Sequence, residues 1–298
     1  DLFSSPPPLA PPTTEEQLLD WLCLLRSRRV GPASFRRLMT AHDGSAAAAL
    51  DAQTLRRSED SFVDELFAHA PHAGAPLLKA LFPRAYVDPN REPYELDPAM
   101  FAGRLPDFVN RRSPRVAAGL GTIARVVASG AEIYAGKLDF AEAQTRIDTL
   151  YRPYHAALEH LVEATRRQFG FCILVDCHSM PSIGGPLEND AGKRRQVDMI
   201  LGDGHGTTCA PGVTLAIESA LRGFGYTVVR NTPYSGGYIT RSYGQPADGV
   251  HAIQIEINRA LYMDEARYQR KAAMTQLTAH LSRLCERLGA TGTDLVAA

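Results

Sequence analysis

The chain has 298 residues, of which 45% are hydrophobic and 22% are charged, and its formal net charge at pH 7 is −1. This composition is ordinary for a globular protein and offers no overall attraction to nucleic acid or to an anionic membrane. No apolar run reaches the length of about 18 residues that a transmembrane helix requires. The five cysteines are scattered without a CxxC pair, which argues against a zinc knuckle or a disulfide framework. We therefore expect a cytoplasmic protein without a membrane partner.

The first 50 residues differ in pattern from the rest of the chain. Residues 1–12 are rich in proline, which predicts a disordered tail. Residues 13–50 show helical periodicity and contain a short run of arginines, namely Arg26, Arg28, Arg29, Arg36 and Arg37. Such a run could follow the phosphates of DNA, but a solvated helix face is its more common explanation. Nucleic acid is therefore not expected as a partner.

From residue 51 to residue 298, helical and strand patterns alternate. This order predicts an α/β fold with a mainly parallel sheet that is covered by helices on both faces. The expected strands cover residues 81–87, 171–177, 199–201, 226–230 and 251–257. The expected helices cover residues 55–69, 140–169, 215–224 and 264–289.

Four polar motifs follow or end the expected strands. They are VDPNR (87–91), VDCHS (175–179), LGDGHGT (201–207) and IQIEINR (253–259). Ligands of open α/β sheets bind beyond the carboxyl ends of the strands. We therefore expect these four motifs to meet at one edge of the sheet.

The VDCHS motif places Asp176 and His178 on one face of a strand and Cys177 on the other. A histidine beside a carboxylate is a candidate metal ligand or acid–base group. A buried histidine without a chemical role is the alternative, and the neighbouring Asp, Ser and Pro residues favour a functional one. Because Cys177 and His178 face opposite sides, they cannot form a nucleophilic pair.

Glu256 is the first candidate for a general acid or base. Burying a carboxylate on a strand that is otherwise apolar costs free energy unless the carboxylate is paired or functional. The alternative is an edge strand with one face exposed to solvent.

Arg91 and Arg241 are candidates for binding a substrate carboxylate through two parallel hydrogen bonds, and surface ion pairs are the alternative for each. Residues 232–244 are rich in Gly and Tyr, as in loops that cover substrates.

From about residue 51 to residue 288 the sequence resembles the N-formylglutamate amidohydrolase family. The stretches that carry this resemblance are SEDSFVDELFAHAP, FPRAYVDPNR, AGLGTIAR, YRPYHAAL, VDCHSMPS, LGDGHGT, TPYSGGYITRSYG and IQIEINRALYM. The resemblance implies a three-layer α/β/α sandwich with a mixed sheet, similar to that of zinc-dependent exopeptidases. It also implies hydrolysis of the formyl amide of N-formyl-L-glutamate, or of a close N-acyl amino acid, in histidine degradation.

The same resemblance implies a set of site residues. A divalent metal, with Zn²⁺ as the first candidate, would be bound by His178 and Asp60, and Glu256 would activate the water. The residues expected to contact the substrate are Asn90, Arg91, Gly237, Tyr238 and Arg241.

One family motif is absent. Members usually begin with a segment similar to SPHSGxxYP, whose histidine completes the metal site, and the nearest substitute here is His42. Residues 15–50 instead resemble the N-terminal helical region of DNA-processing protein A, in the motifs LLRSRRVGPASFRRL and GSAAAAL. This indicates a gene fusion near residues 49–52. A catalytically impaired chain that binds a ligand is therefore the alternative to an active hydrolase.

Overall fold

The computed structural model describes residues 52–127, 129–184 and 191–296, so the predicted tail, the predicted helical segment 13–50 and His42 lie outside the described residues. The α-helices are α1 (Ala52–Leu55), α2 (Val63–Leu66), α3 (Pro114–Ala117), α4 (Phe140–Arg146), α5 (Arg152–Phe169), α6 (Pro211–Gly223), α7 (Tyr238–Tyr243) and α8 (Ala273–Val296). The strands are β1 (Cys172–Met180), β2 (Met199–Gly202), β3 (Val228–Arg230), β4 (Val250–Asn258), β5 (Met263–Asp264) and β6 (Gln269–Arg270). Short 3₁₀ turns cover Arg56–Ser58, Ala70–Ala73, Pro98–Met100, Pro246–Asp248 and Arg259–Leu261.

Within these ranges the main sheet has the strand order β1-β4-β2-β3. Strand β1 runs parallel to β4 and β2 runs parallel to β3, whereas β2 runs antiparallel to β4. The sheet is therefore mixed and mainly parallel, as the alternating pattern predicted. Among the described strands β1 lies at an edge of the sheet, so alternate N–H groups of this strand point away from β4.

Helices cover both faces of the sheet. On one face, Ile253, Ile255 and Ile257 of β4 pack against residues of α6 and α8. On the other face, Cys172 and Val250 pack against residues of α5 and α7. Each fully buried isoleucine stabilises the fold by about 1.5–3 kcal/mol relative to an exposed one. Apolar and polar residues alternate along β4, so one face of this strand packs in the apolar core and the other face carries polar side chains.

A long helical region before β1 was predicted and is confirmed with one difference. Helices α4 and α5 are joined by a π-helical segment, Ile147–Tyr151, rather than by a continuous α-helix. Pro153 lies in the first turn of α5 and has no N–H to donate to the carbonyl of Thr149. A π-turn just before the proline accommodates this missing bond.

Two expected elements at the start of the described chain are wrong. Residues 81–87 form turns instead of a strand, because Tyr86 and Val87 donate their N–H groups to the carbonyl of Pro83. The helix expected over residues 55–69 is broken by Phe62, whose φ of 65° is left-handed, so only α1, a 3₁₀ turn and α2 form. The last helix also begins later than expected, because the hairpin of β5 and β6 precedes it.

The predicted meeting of four motifs at one edge of the sheet is wrong for LGDGHGT. Gly202 pairs with Gln254 and Met199 pairs with Ile257, so β2 ends toward the amino-terminal half of β4. The turn after β2 therefore leaves the sheet away from the carboxyl end of β4. Side chains alternate between the two faces of a sheet in parallel and antiparallel strands alike. The sequence therefore could not reveal that β2 runs antiparallel to β4.

None of the helices in the described ranges is both long enough and apolar enough to cross a membrane.

Candidate active site

Strands β1 and β4 bring two of the polar motifs together. In the parallel register, Asp176 pairs with Gln254 and His178 pairs with Glu256. Because neighbouring residues in register point to the same face, all four side chains lie on the face opposite the isoleucines of β4. The predicted convergence of VDCHS and IQIEINR is therefore confirmed.

His178 lies between two carboxylates. Its Nδ1 atom is 3.1 Å from Oδ2 of Asp60, and its Nε2 atom is 2.8 Å from Oδ1 of Asp176. Burial lowers the pKa of His178, but the charges of Asp176 and Asp60 outweigh burial and hold this pKa well above its usual value. A metal ion bound at Nδ1 would require this nitrogen to be deprotonated.

Asp60 comes from the irregular segment between the first 3₁₀ turn and α2. Its Oδ1 atom accepts hydrogen bonds from the backbone N–H and the hydroxyl of Ser179, at 2.7 and 3.3 Å. Its Oδ2 atom accepts one from Nη1 of Arg84 at 2.7 Å. Burial raises the pKa of Asp60, but Arg84 and His178 outweigh burial and lower this pKa below its usual range. Asp60 is thus an ionised carboxylate next to His178.

Arg84 is a site residue that the sequence interpretation missed. Its guanidinium also donates to Oδ2 of Asp88, at 2.9 Å from Nη2, and so joins Asp60 to Asp88. Burial raises the pKa of Asp88, but Arg84 and Arg91 outweigh burial and lower it to about 2. The signal for Arg84 was a lone charged residue within the apolar stretch 81–87, which was interpreted as a strand.

Glu256 is supported by a second residue that was missed. Gln254 donates from Nε2 to Oε1 of Glu256 over 2.7 Å. Burial raises the pKa of Glu256, against the opposing effect of His178. A carboxylate with a raised pKa suits a group that takes and returns a proton near neutral pH.

Asn90 connects His178 to the loop before α7. Its Nδ2 atom donates to Oδ2 of Asp176 and lies 2.9 Å from Nε2 of His178, while its Oδ1 atom accepts from the N–H of Ile239. A Cβ atom on Gly237 would lie 2.3 Å from both polar atoms of the Asn90 side chain. The close approach predicted at Gly237 is therefore an approach to Asn90.

The other residues expected to contact the substrate have partners elsewhere. Arg91 donates from Nε to the carbonyl of Leu120 and from Nη1 to the carbonyl of Asn90. Arg241 is exposed on α7 and donates to the carbonyl of Gly236. Tyr238 is half-buried, with its ring edge-on to His155. The substrate-binding roles of these residues stay predictions.

The donor atoms of His178 and Asp60 fit two positions of a zinc site. Two ligands that each lie about 2.0–2.1 Å from a tetrahedral zinc ion are about 3.3 Å apart. The distance between Nδ1 of His178 and Oδ2 of Asp60 is 3.1 Å. Within residues 52–127, 129–184 and 191–296, no group of three or more His, Cys, Asp or Glu side chains is arranged to hold a metal.

Comparison with known proteins identifies the family. The family model described as N-formylglutamate amidohydrolase matches residues 28–263. The chain belongs to this family. The match begins within the segment 13–50 for which a separate origin was expected, and both the boundary at residue 51 and the fusion stay predictions.

Three bacterial proteins of this family are similar to the chain over most of its length. An N-formylglutamate deformylase from Pseudomonas aeruginosa is 30% identical over 240 residues, which cover 79% of this chain and 83% of the relative. The same-named protein from Pseudomonas putida is 29% identical over 209 residues, which cover 69% of this chain and 71% of the relative. The crystal structure of N-formylglutamate amidohydrolase from Ralstonia eutropha is 39% identical with a TM-score of 0.75, and the match covers 82% of this chain and 87% of that one.

Proposed function

We propose that this chain hydrolyses the amide bond of N-formyl-L-glutamate, or of a close N-acyl amino acid, to formate and the free amino acid in histidine degradation. Relatives that carry the name N-formylglutamate deformylase match most of the chain and support this substrate. The observation that carries the proposal is the pairing of His178 with Glu256 across β1 and β4, with Asp60 at Nδ1 of the histidine.

His178 and Asp60 would hold a divalent ion, with Zn²⁺ as the first candidate. When bound, this ion supplies Lewis-acid polarisation of the formyl carbonyl. Arg84 offsets the charge of Asp60 and keeps it ionised, which a ligand carboxylate requires.

Glu256 takes the proton from the attacking water and then returns it to the departing amide nitrogen. The water oxygen forms a bond to the formyl carbon, and the bond from this carbon to nitrogen breaks. Gln254 holds one oxygen of Glu256, which leaves the other carboxylate oxygen to accept the proton.

We assign binding of the substrate carboxylates to Arg91 and Arg241, because guanidinium groups bind carboxylates in a bidentate manner. Next to these two arginines, the substrate would contact Asn90, Gly237 and Tyr238. Asn90 already contacts the histidine at one end and the start of α7 at the other.

The test is formate release from N-formyl-L-glutamate in a buffer with Zn²⁺. Because a positioned acid–base group contributes about 10²–10⁴-fold, we expect Glu256→Gln to lower kcat by that factor. Glu132→Gln is the matched control, since Glu132 is exposed and pairs only with Arg125 among the described ion pairs. Activity that survives Glu256→Gln would contradict the mechanism.

A catalytically impaired, ligand-binding chain is the second candidate. The absence of an SPHSG segment from the sequence favours it, because a catalytic zinc usually has three protein ligands. Metal analysis separates the two functions. Stoichiometric zinc together with turnover of N-formyl-L-glutamate would exclude the impaired form.

A further inference from the structure

Arg259 lies directly after β4 and is 6% exposed. Its guanidinium donates from Nε to the hydroxyl of Ser179 at 3.1 Å and from Nη2 to the carbonyl of Glu59 at 2.6 Å. Nη1 donates to the carbonyl of Arg57 at 3.2 Å. One buried side chain thus joins the ends of β1 and β4 to the segment that precedes Asp60.

Ser179 relays this contact to Asp60. Its hydroxyl accepts from Arg259 and donates to Oδ1 of Asp60 at 3.3 Å. Its N–H, which points outward from the edge strand β1, donates to the same oxygen at 2.7 Å. The carboxylate of Asp60 therefore occupies a hydrogen-bonding position that an edge strand would otherwise leave open.

The two arginines near Asp60 act in different ways. Arg84 bonds directly to Oδ2 of Asp60 and offsets its charge. Arg259 instead contacts backbone carbonyls on either side of residue 58 and the hydroxyl of Ser179. A planar guanidinium with several fixed donors can hold three acceptors in one arrangement, which a lysine cannot reproduce.

We propose that Arg259 is a positioning residue that, together with Ser179, fixes the carboxylate of Asp60 at Nδ1 of His178. The proposal rests on the proposed function of this site. Without Arg259, the segment before Asp60 loses the two hydrogen bonds to the carbonyls of Arg57 and Glu59, and Oδ1 of Asp60 leaves the N–H of Ser179 more often.

The amide proton of Ser179 reports on this position without any need for metal or substrate. We expect Arg259→Gln to accelerate hydrogen exchange at Ser179, measured by NMR on the folded full chain, by about tenfold or more, because a local opening then exposes this N–H. Outer contacts to metal ligands typically change affinity 10–100-fold, so we expect a similar loss of affinity for Zn²⁺ alone, and a fall in kcat rather than a rise in KM.

Three further variants control the experiment. Arg270→Gln removes the ion pair between β6 and Glu65 of α2, which follows the same segment, and leaves the hydrogen bonds of Arg259 and Ser179 in place. We expect it to leave Ser179 exchange and Zn²⁺ affinity unchanged. Ser179→Ala removes the relay hydroxyl alone, and we expect it to weaken Zn²⁺ binding even if Arg259→Gln does not fold. Arg259→Lys should recover less than half of either loss.

The outcomes separate this proposal from the function it rests on. Unchanged Ser179 exchange in Arg259→Gln, or unchanged Zn²⁺ affinity in Ser179→Ala, overturns the positioning role even if the enzyme is active. Faster Ser179 exchange in Arg259→Gln with no formate release by the unmodified chain supports the positioning role and removes only the proposed function.

Discussion

Asn90 shows how closely single residues are packed around His178. One amide side chain contacts Asp176 and His178 with its nitrogen and the N–H of Ile239 with its oxygen. Gly237 lies against the same side chain, and its backbone angles are ordinary extended ones. The requirement for glycine at this position is therefore one of space and not of backbone conformation.

Gly237→Ala should consequently lower kcat/KM by about 10²-fold, because a displacement of about 1 Å at a reacting site has an effect of that size. The added methyl group would force Asn90 away from His178. Steady-state kinetics with N-formyl-L-glutamate measure the effect. Gly223→Ala is the control, since Gly223 is exposed at the end of α6 with open space around it. Equal kinetics of both variants would contradict the steric argument.

At this scale the sequence predicted His178, Asp176 and Glu256 because alternation along a strand assigns each side chain to a face. Asp60 was implied only by the family resemblance; it lies beside His178, and its role as a metal ligand stays a prediction. Arg84, Ser179 and Arg259 were not predicted. Their contacts with Asp60 and with the segment before it span 24 to 202 residues of the chain, and contacts between distant segments leave no periodic signal.

Among the elements, β2 and the turn after it depend on a reciprocal pair. Asp203 accepts from Nδ2 of Asn231, and Asn231 accepts from the N–H of Asp203. Thr214 of α6 and the N–H of Gly206 also donate to the Asp203 carboxylate. LGDGHGT, interpreted from the sequence as part of the site, thus joins β2, β3 and α6.

This pair predicts a pH dependence of stability. Burial raises the pKa of Asp203, but the hydrogen bonds from Asn231, Gly206 and Thr214 outweigh burial and lower this pKa. A lowered pKa in the folded state contributes stability above the unfolded pKa of about 3.9, and this contribution is lost as the pH falls through the folded value. The difference in unfolding free energy between the unmodified chain and Asp203→Asn should therefore be constant from pH 7 to about 5 and shrink below about 4.

Urea denaturation between pH 3 and pH 7 measures this difference. Asp139→Asn is the matched control, because Asp139 is exposed before α4 and its side chain makes no capping hydrogen bond. A difference for Asp203→Asn that stays constant down to pH 3 would contradict the prediction.

The long elements could be predicted from periodicity, and the irregular ones could not. Strands β1 and β4 and helices α5 and α6 appear near their expected positions because their apolar faces repeat regularly. The stretch 81–87 has the apolar residues of a strand, yet Pro83 turns the backbone and these side chains enter the core from turns. Burial alone therefore did not determine the type of element.

For the whole molecule, the proposed metal site predicts a link between metal binding and stability. A ligand that binds only the folded state at 100 times its Kd adds about 2.7 kcal/mol to the free energy of unfolding. Treatment with a chelator should therefore lower Tm and abolish formate release, and added Zn²⁺ should restore both. Thermal scans and activity assays on the same samples measure the two effects, with Mg²⁺ as a control because this ion prefers all-oxygen ligands. Full activity after exhaustive chelation would contradict the metal-dependent mechanism.

The contacts of Arg259 have a consequence for the order in which the protein is made. Glu59 and Arg259 are 200 residues apart, and a ribosome that adds about 5–20 residues per second needs about 10–40 s between them. Asp60 and His178 therefore both leave the ribosome before the side chain that arranges them. Glu256 lies on β4 and Arg259 follows it directly, so the proposed site is complete only after β4 has joined the sheet.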